Sequence, residues 1–71
     1  MAKYFFPIKG DSLSIDDAHG QPFPTLAEAR AHAILIAVEL AQDGGVYKGC
    51  VVCVIDESGK EMARMAIGDP T

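Results

Sequence analysis

The sequence predicts one small α+β domain of 71 residues, ordered ββαββ, with one helix packed on a four-stranded, mostly antiparallel sheet. Three observations carry that prediction. A capping pattern at Thr25 opens a long Ala-rich stretch with helical spacing. Short β-branched and aromatic runs lie on both sides of it. Two Asp-x-x-Gly turns, Asp17-Ala18-His19-Gly20 and Asp56-Glu57-Ser58-Gly59, punctuate those runs.

Residues 4–8 read Tyr-Phe-Phe-Pro-Ile and form the expected first strand, which ends at Lys9-Gly10-Asp11, where Gly10 can supply a positive φ. Residues 12–16 alternate polar and apolar, so Leu13 and Ile15 share one side of an edge strand and the serines face water. After the first Asp-x-x-Gly turn, Gln21-Pro22-Phe23-Pro24 is held extended by its two prolines and ends the strand pair.

Thr25 and Glu28 have the spacing of a capping box, in which the Thr hydroxyl accepts the Glu28 N–H and the Glu carboxylate reaches back to the Thr25 N–H. The helix is expected over residues 26–43, stopped by Gly44-Gly45. At 100° per residue, Leu26, Ala29, Ala33, Ile36, Ala37 and Leu40 form its buried centre, and Glu28, His32, Glu39, Gln42 and Asp43 its polar side. Leu35 interrupts that polar side, with Ala31 and Val38 on its flank.

Residues 48–55 hold the uninterrupted run Cys-Val-Val-Cys-Val-Ile, which is expected of a central strand covered on both faces. The second Asp-x-x-Gly turn sends residues 60–67 back as a fourth strand, with Met62, Arg64 and Ala66 on one side and Ala63, Met65 and Ile67 on the other. Residues 68–71 read as a tail. A strand order of 2-1-3-4 makes every neighbouring pair antiparallel, provided Pro7 sits where its missing N–H is not needed.

Composition narrows the class of function. Apolar residues make up 49% of the chain and charged residues 23%, which excludes disordered, collagenous and disulfide-scaffold classes. A net charge of −4 repels phosphate backbones and anionic membrane surfaces. The longest strictly apolar run, residues 33–38, is far short of a membrane span, and the start of the chain lacks a signal-peptide core. The expected location is the cytoplasm, consistent with only two cysteines.

The motifs Tyr4-Phe5-Phe6, Ile15-Asp16-Asp17-Ala18-His19-Gly20, Leu26-Ala27-Glu28-Ala29-Arg30-Ala31-His32-Ala33 and Val54-Ile55-Asp56-Glu57-Ser58-Gly59-Lys60 follow one another in this order along the chain. In their order and spacing the chain resembles a family of short bacterial proteins of unknown function. Pro7 stands where the family pattern carries a polar residue. The resemblance implies the fold and no activity, cofactor or substrate.

Candidate chemistry is sparse. Cys50 and Cys53 are formally a CxxC, but three residues apart in a strand they face opposite sides about 10 Å apart, so they are read as two buried, inert thiols. Glu28 and His32 have a chelating spacing on the helix, and Glu39 and Asp43 continue their stripe, but nothing in the sequence guarantees the further convergent ligands a metal needs, and a solvated face is expected. His19 sits at a turn tip. Arg30 projects into the apolar arc, and its guanidinium is expected to meet Asp16 or Asp17. No catalytic motif stands out, and so short a chain has little room for a pocket of several hundred Å³. No catalytic residue, metal ligand or cofactor is assigned.

The leading expectation is a non-enzymatic module that self-associates, or binds a protein partner, because one helix covers one face of a sheet whose last two strands are apolar on both. The residues expected to carry the contact are Ala31, Leu35 and Val38 on the helix, and Met62 and Arg64 on the last strand. The alternative is a small nucleic-acid-associated protein that stacks bases on Tyr4, Phe5 and Phe6, a reading the acidic balance disfavours.

Overall fold

A computed structural model describes residues 1–11, 13–42 and 45–68. Ser12 of the expected second strand, Asp43 and Gly44 at the expected helix end, and residues 69–71 of the tail lie outside the described residues. In chain order the elements are β1 (Ala2–Tyr4), β2 (Ile8–Lys9), β3 (Ser14–Ile15), β4 (Gln21–Phe23), α1 (Leu26–Ala41), β5 (Val51–Ile55) and β6 (Glu61–Ala66). The fold is α+β, as expected. Its larger sheet runs β3-β2-β5-β6 with every neighbouring pair antiparallel, which is the 2-1-3-4 order of the four expected strands.

The first strand departs from expectation because Pro7 falls in the ladder. Phe5 and Ile55 exchange both backbone hydrogen bonds at 2.8 and 2.9 Å, and Cys53 N–H donates to the Pro7 carbonyl at 2.9 Å. Lys9 opposite Val51 continues the same register. Position 7 therefore faces β5, where a proline accepts but cannot donate, and the strand divides around it. The part before the break is β1, which pairs with β4 as a second, two-stranded sheet. Pro22 lies inside β4, opposite Lys3. The Lys3 N–H turns away from β4 to the Glu57 carboxylate at 3.3 Å, so this is a pair that exchanges no ladder bonds and the proline is tolerated.

Thr25 caps α1 as expected: its backbone is extended and its hydroxyl accepts the Glu28 N–H at 3.2 Å. The reciprocal Glu28 bond is absent among the hydrogen bonds of the described residues, so half of the box forms. Ala29, Ala33 and Ala37 are buried along the inner stripe, with Leu26, Ile36 and Leu40 packed beside them. Small side chains there let the helix approach β5 closely, against the fully buried Val52 and Val54. His32 differs from expectation. Its ring lies 5.0 Å from that of Phe6 and 5.2 Å from that of Phe23, half-buried in an aromatic cluster rather than on a solvated face.

Two turns follow the sequence reading closely. Asp56 Oδ1 accepts the N–H of Ser58 at 2.9 Å and of Lys60 at 3.0 Å, and Gly59 has φ +89°. Asp17 Oδ1 likewise accepts from His19 and Gly20 at 3.2 and 3.1 Å. Gly10 is a correction, since it is not among the positive-φ glycines. What it supplies is clearance: a Cβ there would lie 2.5 Å from Cys50 Sγ.

Candidate interaction surface

Among the described residues the sheet ends on β6, whose far side has no neighbouring strand. The Ile67 N–H donates to the Cys50 carbonyl at 2.9 Å, which fixes the alternation along the strand. Ala63, Met65 and Ile67 turn their backbone groups toward β5, so Arg64 and Ala66 present theirs to the open edge. The side chains alternate too: Ala63 and Met65 pack toward the helix and Ile67 is buried, whereas Met62, Arg64 and Ala66 are exposed.

Beside that edge, the second half of α1 and β6 enclose an open groove of about 650 Å³. Its walls are Ile34, Ala37, Val38 and Ala41 on the helix and Met65 and Ala66 on the strand, with Gln42, Arg64 and Gly68 at the rim. A concavity of that size is larger than so short a chain was expected to hold. It arises because the buried helical stripe is alanine, which leaves the larger Ile34 and Val38 flanking it, 49% and 51% exposed. Leu35, on the outer face of the same helix, is 62% exposed. Three large aliphatic side chains within five residues, more or less open to water, constitute an apolar patch.

Of the residues expected to carry a contact, the structure brings Val38 and Arg64 to this groove. Ala31 and Leu35 lie outside it on the exposed helix surface, and Met62 is 38% exposed on the last strand. Ile34, Ala41, Met65 and Ala66 were missed as groove residues. The signal was present for the helix, since Ile34, Val38 and Ala41 are spaced i, i+4 and i+7 and so make one stripe.

The opposite sheet face is less bare than its composition suggested. Cys53 is fully buried there, opposite Arg64 in the ladder, and Arg64 holds Glu61 with two bonds, Nε to Oε2 at 2.8 Å and a terminal nitrogen to Oε1 at 3.0 Å. Burial first, and the Glu61 charge second, push the Cys53 thiol above its usual range, and that disfavours the reactive thiolate. The Arg64 hydrogen bond holds the Glu61 carboxyl below the ordinary carboxylate range. Cys50 is also buried and both thiols are free.

The remaining candidates stay apart. Arg30 is exposed and does not meet Asp16 or Asp17; the one ion pair among the described residues is Arg64–Glu61, and Asp17 is committed to backbone N–H groups. His19 is exposed at its turn. No group of three or more potential ligands that could hold a metal occurs among the described residues. Tyr4 and Phe6 are buried in the core, and Phe5 is half-buried. No helix among the described residues is long and apolar enough to cross a membrane.

The geometry defines a small α+β domain with an apolar groove beside an open strand edge. The chain belongs to the family described as Domain of unknown function (DUF6894), whose pattern it matches over residues 3–68. The match takes in β1 from Lys3, every later element through β6, and both Asp-x-x-Gly turns. No curated protein and no solved structure matches the chain.

Proposed function

We propose that this protein is a non-enzymatic interaction module that works as a self-associated pair. The observation that supports this reading is the groove between α1 and β6, where Ile34, Val38, Met65 and Ala66 form apolar walls with a single cation, Arg64, at the rim. Arg64 is already neutralised by Glu61, so apposing two copies brings no unpaired charge into the contact. The size of the domain argues the same way, because a chain of 71 residues buries a small core and gains from covering apolar surface against a second copy. The nucleic-acid alternative draws less support, since two of its three stacking rings are buried.

The test is Val38→Glu. Val38 is half-exposed, so a monomer tolerates the change, whereas a dimer closed over the groove must bury a carboxylate. Sedimentation velocity should show a dimer for the parent at tens of micromolar and a monomer for the variant, with at least a tenfold weaker association. A parent that sediments as a 7.5 kDa species at these concentrations overturns the proposal.

A further inference from the structure

We infer that the second copy docks through β6 itself, antiparallel across a two-fold axis centred on Met65, so that two four-stranded sheets join into one of eight. This rests on the self-association proposed above and assigns its geometry. β6 is an edge strand with Arg64 and Ala66 turning N–H and C=O outward, and such an edge is completed by another strand.

The occupant follows from the pattern of β6. A two-fold axis perpendicular to the sheet keeps both helices on one side and pairs each residue with one of the same parity. Centred on Arg64, it would crowd two guanidinium groups, each already held by its own Glu61, directly opposite one another, a less favourable pair than Arg64 opposite an alanine. Centred on Ala63, it would run into the irregular stretch where Ile55 faces Glu61 and the register shifts. Centred on Met65, it sets Arg64 opposite Ala66 of the second copy in hydrogen-bonded pairs. It also sets Met65 against Met65 of the second copy in the closer, non-hydrogen-bonded pair, with Ala63 opposite Ile67 of the second copy. No like charges face one another, and the two methionines meet on the helix side, at the floor of both grooves.

A stable dimer removes about 600–1,000 Å² from each partner, more than a few strand residues supply. The flanks of α1 at Ile34 and Val38, on the same side of the sheet as Met65, must close over the joined edge. That accounts for large aliphatic side chains standing open beside an unpaired strand.

Two variants test the register. Met65→Cys puts two thiols at a pair whose Cα atoms lie about 4.5 Å apart, inside the range a disulfide accepts. Mild oxidation of the full chain, with free thiols blocked before denaturation, should convert most of it to a covalent dimer, while Ala27→Cys, at an exposed position near the start of α1, should not cross-link efficiently. Ala66→Pro deletes an N–H that points outward and leaves the β5 ladder intact, so circular dichroism should show a folded chain and sedimentation a monomer. If the proline variant fails to fold, the cysteine variant alone decides. A dimeric parent whose Met65→Cys form does not cross-link, or whose folded Ala66→Pro form stays dimeric, overturns this edge pairing and leaves self-association standing. A monomeric parent overturns both.

Discussion

The Asp17 carboxylate binds the backbone of Phe6 across eleven residues, with Oδ2 accepting the Phe6 N–H at 3.0 Å. Its other oxygen closes the local turn by accepting from His19 and Gly20. One side chain thus both shapes the turn and pins it to the strand that crosses from the small sheet to the large one. Phe6 follows the bridge at Phe5, and its N–H points away from β5 toward the continuation of β3, which ends at Ile15, so the Asp17 side chain takes the place of a backbone partner. Gly20 is held to the same spot: its φ is +68°, and a Cβ there would lie 2.8 Å from the Phe5 ring and 2.9 Å from the Tyr4 carbonyl oxygen.

Asp17→Ala should therefore cost about 1–3 kcal/mol, because a part-buried N–H loses its acceptor along with the turn. Asp17→Asn retains one acceptor oxygen and should cost less. The pair also gives a pH signature. Partial burial alone would raise the Asp17 pKa, but N–H donation from Phe6, Gly20 and His19 outweighs it and the carboxyl is held below its ordinary value. A carboxyl lowered in the folded state binds protons more readily once unfolded. Its contribution is full above the unfolded value of about 3.9 and is lost as pH falls through the lower folded value. Asp56 and Glu61 are lowered too, but they titrate in both proteins. Urea melts between pH 6 and pH 2.5 should show the gap between parent and Asp17→Asn shrinking below about pH 4; a constant gap would show that the charge is irrelevant.

The sequence was most legible where local chemistry decides structure. Thr25 with Glu28 located the start of α1, the Ala29-Ala33-Ala37 stripe located its buried side, and Asp56 with Gly59 located the β5–β6 turn. It was least legible where a residue's role is set by a distant partner. Pro7 reads as a tolerable proline until Cys53 is found opposite it. Residues 21–24 read as an extended segment that ends the strand pair, yet Pro22 pairs with Lys3 in a further strand because the Lys3 amide is turned to Glu57. His32 has a solvent-facing helical angle and is covered by Phe6, from the segment between β1 and β2, and by Phe23 of β4. The groove depends on Ala37, chosen for the core, which leaves Ile34 and Val38 uncovered among the described residues, and no local pattern encodes that.

Gly59 separates backbone strain from packing. Its φ is +89° and a Cβ there would meet nothing within 4 Å. Any cost of substitution is then conformational. Gly59→Val should destabilise by about 1–2 kcal/mol, and Gly59→Asn by clearly less, because a short amide side chain tolerates the left-handed region. Thermal melts at one fixed concentration would show this ordering; equal melting of the two variants would mean the turn relaxes to a different geometry.

The cap at Thr25 joins local chemistry to the groove. Its hydroxyl holds the first turn of α1 by accepting the Glu28 N–H at 3.2 Å, beside the Ala29 N–H bond to the Thr25 carbonyl at 3.2 Å; the reciprocal carboxylate bond is not among those of the described residues. Leu26 and Ala29, in the first turn, pack against the core, whereas Ile34, Val38 and Ala41 lie two or more turns away at the groove. Thr25→Ala should cost about 1 kcal/mol, a fall in melting temperature of roughly 4–8 °C for a domain of this size. Thr25→Ser keeps the acceptor and should recover most of the loss. Because fraying falls off within a turn, the Ala variant should keep the parent's association constant at temperatures well below its melt. Joint loss of stability and association would show that the helix moves as one piece. Equal melting of the Ala and Ser variants and the parent would show that the hydroxyl contributes nothing.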